Sequence, residues 1–256
     1  LKRKARIITN IGVTYLFKGD TPIGYVTLKE SLAICEMIKA EDIYIMALNN
    51  MGIYYDIVGE WEKALEIYKK SLSISKKINN IIGMSNTMGN LGFVYSSLNK
   101  SEQAVYCFKE SLKMSEKIGD IYNKGINYIH LGEEYLKKDN FIKTKLYIIQ
   151  AEDIFKKLKD KLGLADIFKL KAILCKKQKD WKKSEEYFQK AIKIYSQQGD
   201  RLNEGETYYE WGDMFILKED ADLARKRLTK SKKILESIGA KKYLGEIEEK
   251  LNNLKK

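Results

Sequence analysis

A glycine lattice constrains this chain more than any other feature. Gly12, Gly52, Gly92, Gly132 and Gly212 recur with a period of 40, and Ala172 fills the one slot that lacks glycine. Other positions keep the same step. Three residues after the glycine stand Tyr15, Tyr55, Tyr95, Tyr135, Cys175 and Phe215, and twelve after it Gly24, Ala64, Ala104, Thr144, Ser184 and Ala224. Sixteen after it come Leu28, Tyr68, Phe108, Ile148, Phe188 and Leu228, and nineteen after it Ser31, Ser71, Ser111, Ala151, Ala191 and Ser231. An unbroken period of this length marks an array of one supersecondary unit, each copy of which buries its apolar face only against its neighbours.

The order small, aromatic, small, large, small suits two antiparallel helices. They approach closely where both present tiny side chains, and large residues fill the gaps beside them. Gly52 is therefore expected to meet Ala64 across a hairpin. One proline, Pro22, in 256 residues leaves long helices uninterrupted. Breaks fall at LNKSEQ, KKDNF and KQKDW within repeats, and at KIGDI, LKDKL and QQGDR between them, where Gly, Asn, Asp and Ser cap helix ends. The expected fold is all-α, an α-solenoid of six hairpins in one array over 1–256. The repeats span about 1–40, 41–80, 81–120, 121–160, 161–200 and 201–240, followed by a capping helix over about 241–256. In that last helix Leu244, Ile247, Leu251 and Leu254 form one apolar stripe on a charged background. The fifth repeat departs from the pattern at Lys171, Ala172 and Cys175, and looser packing is expected there.

The segments LNNMGIYYDIVGEWEKALEIYKKSLSI and MGNLGFVYSSLNKSEQAVYCFKESLKM resemble the tetratricopeptide repeat, whose helix A carries a Leu-Gly-x-x-Tyr core and whose helix B carries an alanine and an aromatic. The resemblance covers nearly the whole chain. Its 40-residue period, against the usual 34, resembles the longer variety of kinesin light chains and of Gram-positive peptide-pheromone receptors. It implies a right-handed superhelix, A helices lining the concave surface, and peptide binding.

At 100° per residue, the face of helix A opposite its core positions lies six and two residues before the glycine and one and five after it. The first three repeats place Arg6, Asn10, Val13, Phe17, then Met46, Asn50, Ile53, Ile57, then Asn86, Asn90, Phe93, Ser97 on that face. The last three place Ile126, His130, Glu133, Lys137, then Asp166, Leu170, Ile173, Lys177, then Glu206, Glu210, Asp213, Leu217. Asn10, Asn50, Asn90 and His130 form a ladder of donors and acceptors suited to an extended peptide backbone. Val13, Phe17, Met46, Ile53, Phe93 and Ile126 flank it. Two readings of these apolar residues stand side by side, contact with ligand side chains or packing on the next A helix. Glu206, Glu210 and Asp213 make an acidic end that favours a basic ligand terminus.

The formal net charge is +12, which raises nucleic acid as a partner. Residues 1–128 carry 17 Lys/Arg against 13 Asp/Glu, and residues 129–256 carry 30 against 22, so the excess is interleaved rather than gathered in a block. An apolar, partly acidic concave face argues further against phosphate binding there. Cys35, Cys107 and Cys175 occupy three different repeat positions with no metal-ligand spacing, which fits reduced packing thiols in a cytoplasm. No Gly-rich phosphate loop, nucleophile set or metal cluster marks an enzyme, and no cofactor is implied. No stretch approaches a membrane span. The expected role is a protein- or peptide-binding scaffold, with a sensor or regulatory domain of a larger signalling protein as the alternative and self-association as an open possibility. Leu1 already lies in an apparent helix, so preceding residues are expected, and an output domain among them is the premise of the sensor alternative.

Overall fold

The computed structural model describes residues 1–241 and 243–254, and these form thirteen helices. They are α1 (Lys2–Lys18), α2 (Thr21–Met37), α3 (Glu41–Ile57), α4 (Trp61–Lys77), α5 (Ile81–Ser97), α6 (Ser101–Ile118) and α7 (Ile121–Lys137). The chain continues through α8 (Phe141–Leu158), α9 (Lys161–Lys177), α10 (Trp181–Gln198), α11 (Arg201–Leu217), α12 (Ala221–Ser237) and α13 (Leu244–Asn253). Odd-numbered helices are the A helices and even-numbered ones the B helices of six hairpins. Of the expected last helix, Lys242, Lys255 and Lys256 lie outside the described residues.

A turn recurs at half the lattice period. Gly19, Gly59, Gly119, Gly199 and Gly239 take positive φ, and so do Lys39, Asn79, Asn99, Asp139, Lys159, Lys179 and Glu219. Each lets the backbone double back to bond the last carbonyls of the preceding helix, as Asp160 N does to Phe155 O. Asn80, Asp120, Asn140, Asp160, Asp180, Asp200 and Asp220 then cap the following helix, each side chain accepting from the backbone N–H three residues on.

The lattice glycine is a socket. A Cβ on Gly12 would lie 2.8 Å from Leu28, on Gly92 2.6 Å from Phe108 and on Gly212 2.7 Å from Leu228, and on Gly52 it would enter the Tyr68 ring. At these four glycines a Cβ would first meet the large residue sixteen positions on, whereas at Gly132 it would meet Leu170 of α9 at 2.9 Å. The residue at twelve bonds the lattice carbonyl where it carries a hydroxyl, Thr144 to Gly132 at 3.3 Å and Ser184 to Ala172 at 2.9 Å. At Gly52 the flat backbone accepts the edge of the Tyr68 ring. Buried hydroxyls couple adjacent helices: within a hairpin Thr9 pairs with Ser31 at 2.6 Å and Ser85 with Ser115 at 2.9 Å, and between hairpins Ser71 pairs with Thr87 at 3.0 Å.

A helices of successive repeats pack on one another, α1 on α3 through to α9 on α11, whereas B helices do not come together to that extent. The stack therefore curves with the A helices inside. The curvature brings its ends together. α1 approaches α11, Gly19 abuts Ile238, and Lys241 N donates to Ile57 O at 3.3 Å, so one cluster contains Leu16, Leu28, Ile57, Tyr209 and Ile238.

The fifth repeat is not looser. Ala172, Ile167 and Leu170 are fully buried, and Lys171 donates to Glu152 at 2.7 Å. Alanine fits the glycine slot, and the misplaced lysine turns out toward a carboxylate. At the C-terminal end α13 occupies the place of a seventh A helix and buries its own Ile247 fully against the stack. The equivalent stripe of α1 has no helix upon it: Ile7 and Ile11 are exposed.

Candidate functional site

The inner face changes character along its length. In the first three repeats the ladder positions are open. Asn10 is exposed, Asn50 and Asn90 are part-buried, and among the described residues no hydrogen bond holds any of these three side chains. Their amides are therefore available to a ligand. Around them the apolar residues divide. Phe17 is 45% exposed, whereas Met46 packs beside Ala40 and Ile43, Ile53 joins the cluster of Met51 and Ile57, and Phe93 lies against the Phe108 cluster. Val13 is part-buried, and Ile126 packs with Tyr128 and Ile129. Asn86 is exposed and accepts from the Asn123 side chain at 2.9 Å.

His130, the fourth rung, is engaged. Its ring stacks on Phe108 at 4.9 Å and meets Phe93 edge-on at 5.7 Å, and its Nδ1 lies 3.0 Å from Glu133 Oε2. Burial works against the Glu133 charge, yet the His130 contact together with Lys169 and Lys137 holds its pKa down at about 2.

The acidic end is neutralised from within. Lys169 Nζ reaches Asn203 Oδ1 at 2.8 Å and Glu206 Oε2 at 3.3 Å. Lys176 Nζ reaches Glu210 at 2.6 Å and Asp213 at 2.9 Å, and Lys250 of α13 also pairs with Asp213. Tyr209 donates to Glu246 at 2.5 Å and stacks on Tyr243 at 4.9 Å. Glu206, Glu210 and Asp213 thus join α9, α11 and α13 rather than standing free. Sequence reasoning missed Lys169 and Lys176. The available signal was two lysines on buried faces of one A helix, a repeat ahead of three acids.

Asp166 sits behind this network and accepts from the Tyr195 hydroxyl at 2.5 Å. Burial raises its pKa to about 6, with Lys169 and the tyrosine acting in the opposite direction. An acid whose folded value exceeds its unfolded one destabilises the fold when ionised, and that penalty disappears as the pH falls from above about 6 to below about 4. Asp166→Asn, which retains an acceptor for Tyr195, is therefore expected to raise the melting temperature at pH 8 and to match the parent at pH 4. Thermal melts across that range check it, and a constant difference would contradict the assignment.

Among the described residues, no group of three or more His, Cys, Asp and Glu is arranged to hold a metal, and no helix is long and apolar enough to cross a membrane.

A tetratricopeptide-repeat family model matches residues 3–77 and 163–237, more than half of the chain, and a second model of the same repeat matches 85–118. No curated protein matches the sequence. Among solved structures the chain is similar to RapI in its apo form, at 18% identity and TM-score 0.75, over 92% of this chain and 84% of that one. It is similar to a Rap protein complexed with competence and sporulation factor, at 14% identity and TM-score 0.67, over 97% and 74% of the two chains. A signal-transduction ATPase with a tetratricopeptide repeat sensor, from Pyrococcus horikoshii, matches at 20% identity and TM-score 0.57, over 99% of this chain and 38% of that one. Identities this low show a common fold.

Proposed function

This chain belongs to the tetratricopeptide-repeat family, and on that premise we propose that it binds an extended peptide or protein segment along the A helices of its first four repeats. The observation that carries the reading is the run of unpartnered amides at Asn10, Asn50 and Asn90 on the inside of the curve. An extended backbone offers alternating N–H and C=O groups, and each asparagine both donates and accepts. Exposed Phe17 and the partly covered Val13 and Ile53 supply apolar contact beside the ladder. His130, braced by Phe108 and Glu133, closes the row with a fixed ring. The Rap neighbour complexed with competence and sporulation factor supports the holding of a ligand by this fold. Glu206, Glu210 and Asp213 have the secondary role of receiving a basic ligand end in competition with their internal lysines.

The double variant Asn50→Ala/Asn90→Ala is expected to weaken a selected peptide ligand by about 1–3 kcal/mol while leaving the helical melting curve in place. Isothermal titration of both proteins with the same peptide measures it, and unchanged affinity would sink the reading.

A sensor role within a larger signalling protein is the second reading, favoured by the similarity to the repeat sensor of the ATPase. In either role the chain acts by holding a partner, without catalysis of its own, and its buried free thiols Cys35 and Cys107 suit the cytoplasm.

A further inference from the structure

The outer surface carries one departure from the lattice that the groove does not use. On α8, Ile142, Leu146 and Ile149 are 84%, 52% and 64% exposed, spaced so that all three share one helix face. The slot of Ile142 is filled in other repeats by Pro22, Glu62, Glu102, Lys182 and Asp222, and that of Leu146 by Val26, Glu66, Tyr106, Glu186 and Lys226. The slot of Ile149 holds Lys29, Lys69, Lys109, Gln189 and Thr229 elsewhere. Only in the fourth repeat are all three solvent-facing positions aliphatic together; every other copy carries at least one charged residue among them. Tyr106, 62% exposed, occupies the Leu146 slot one repeat earlier and extends the apolar surface onto α6.

The charges around the stripe decide what fits it. Lys143 and Lys145 edge it on α8, with Lys109 one repeat before and Lys182 one repeat after, all exposed and none in an ion pair. A second copy docking by the same face would bring lysines against lysines. A flat anionic surface would meet Glu102 and Glu186, which share this face. A helix can set its own charges around both and lay its apolar ridge on the stripe between these lysines. From this we infer that the convex face of α8 is a second docking surface, for an amphipathic helix of a partner protein whose apolar ridge is bordered by acidic residues. It is separate from the concave groove and independent of what the groove holds.

The test uses a synthetic helical peptide with leucines at i, i+4 and i+7 flanked by glutamates, and a control with lysines in their place. The full chain should bind the glutamate peptide at least about tenfold more tightly than the lysine peptide. The variant Ile142→Gln/Leu146→Gln/Ile149→Gln, altered only at exposed positions, should melt like the parent and lose at least about tenfold in affinity for the glutamate peptide. Asn50→Ala/Asn90→Ala should bind this peptide unchanged, which keeps the outcome distinct from that of the groove. Absence of binding, equal binding of both peptides, or full affinity in the variant overturns the proposal. So does sedimentation as a dimer that the variant abolishes, or binding to phosphatidylserine vesicles in preference to the peptide.

Discussion

Phe108→Ala is expected to destabilise the array by about 3–5 kcal/mol, among the largest effects available to a single substitution here. The ring is 1% exposed, fills the socket of Gly92 and carries the stacked His130, so truncation opens a cavity between two helices and removes the floor of the fourth rung. The socket can be closed from the other side. Gly92→Ala places a Cβ 2.6 Å from the ring and is expected to cost about 1–3 kcal/mol by overpacking. Combined, the two changes should fall short of the sum of their separate losses, because the added methyl enters the space the ring has left. Urea unfolding of the four proteins measures this cycle, and strict additivity would contradict the socket.

Lys176→Met is expected to lose about 3 kcal/mol at pH 7, the low end for removing one partner of a buried ion pair, because both acids keep some access to solvent and Asp213 retains Lys250. The lysine is only 7% exposed and links α9 to α11 through Glu210 and Asp213. Burial opposes ionisation of Asp213, yet Lys176 and Lys250 outweigh it and hold its pKa below the usual carboxylate value. A depressed folded value means that this stabilisation is present above the unfolded pKa of about 4 and is lost as the pH falls through the folded one. The gap between parent and variant should therefore narrow below about pH 4. Melting temperatures from pH 7 to pH 3 report it, and an offset independent of pH would show that the methylene stem, not the charge, matters.

The fold was legible because one period governs the chain. Gly12 through Gly212, with Ala172 between, locates each hairpin, and a rigid 40-residue step leaves no insertion to misplace. Which residue fills each glycine was not legible, since composition at twelve and sixteen positions on suits either contact and only the hairpin's tilt decides that Gly52 receives Tyr68. The inner face followed from helical angle alone, a local property. Its electrostatics depend on neighbours in other repeats: nothing in the spacing of Glu206, Glu210 and Asp213 shows that Lys169, Lys176 and Lys250 reach them. Closure of the curve, with Lys241 N on Ile57 O, lies further still from any local signal, because it sums small rotations over six repeats.

The central claim is that the open amides on the inner curve grip a peptide. A random-peptide display selection on the full chain, repeated on Asn50→Ala/Asn90→Ala, tests it most directly. A shared motif enriched on the parent and lost on the variant is the result expected here, whereas a motif enriched equally on both proteins would place the binding surface elsewhere and contradict the claim.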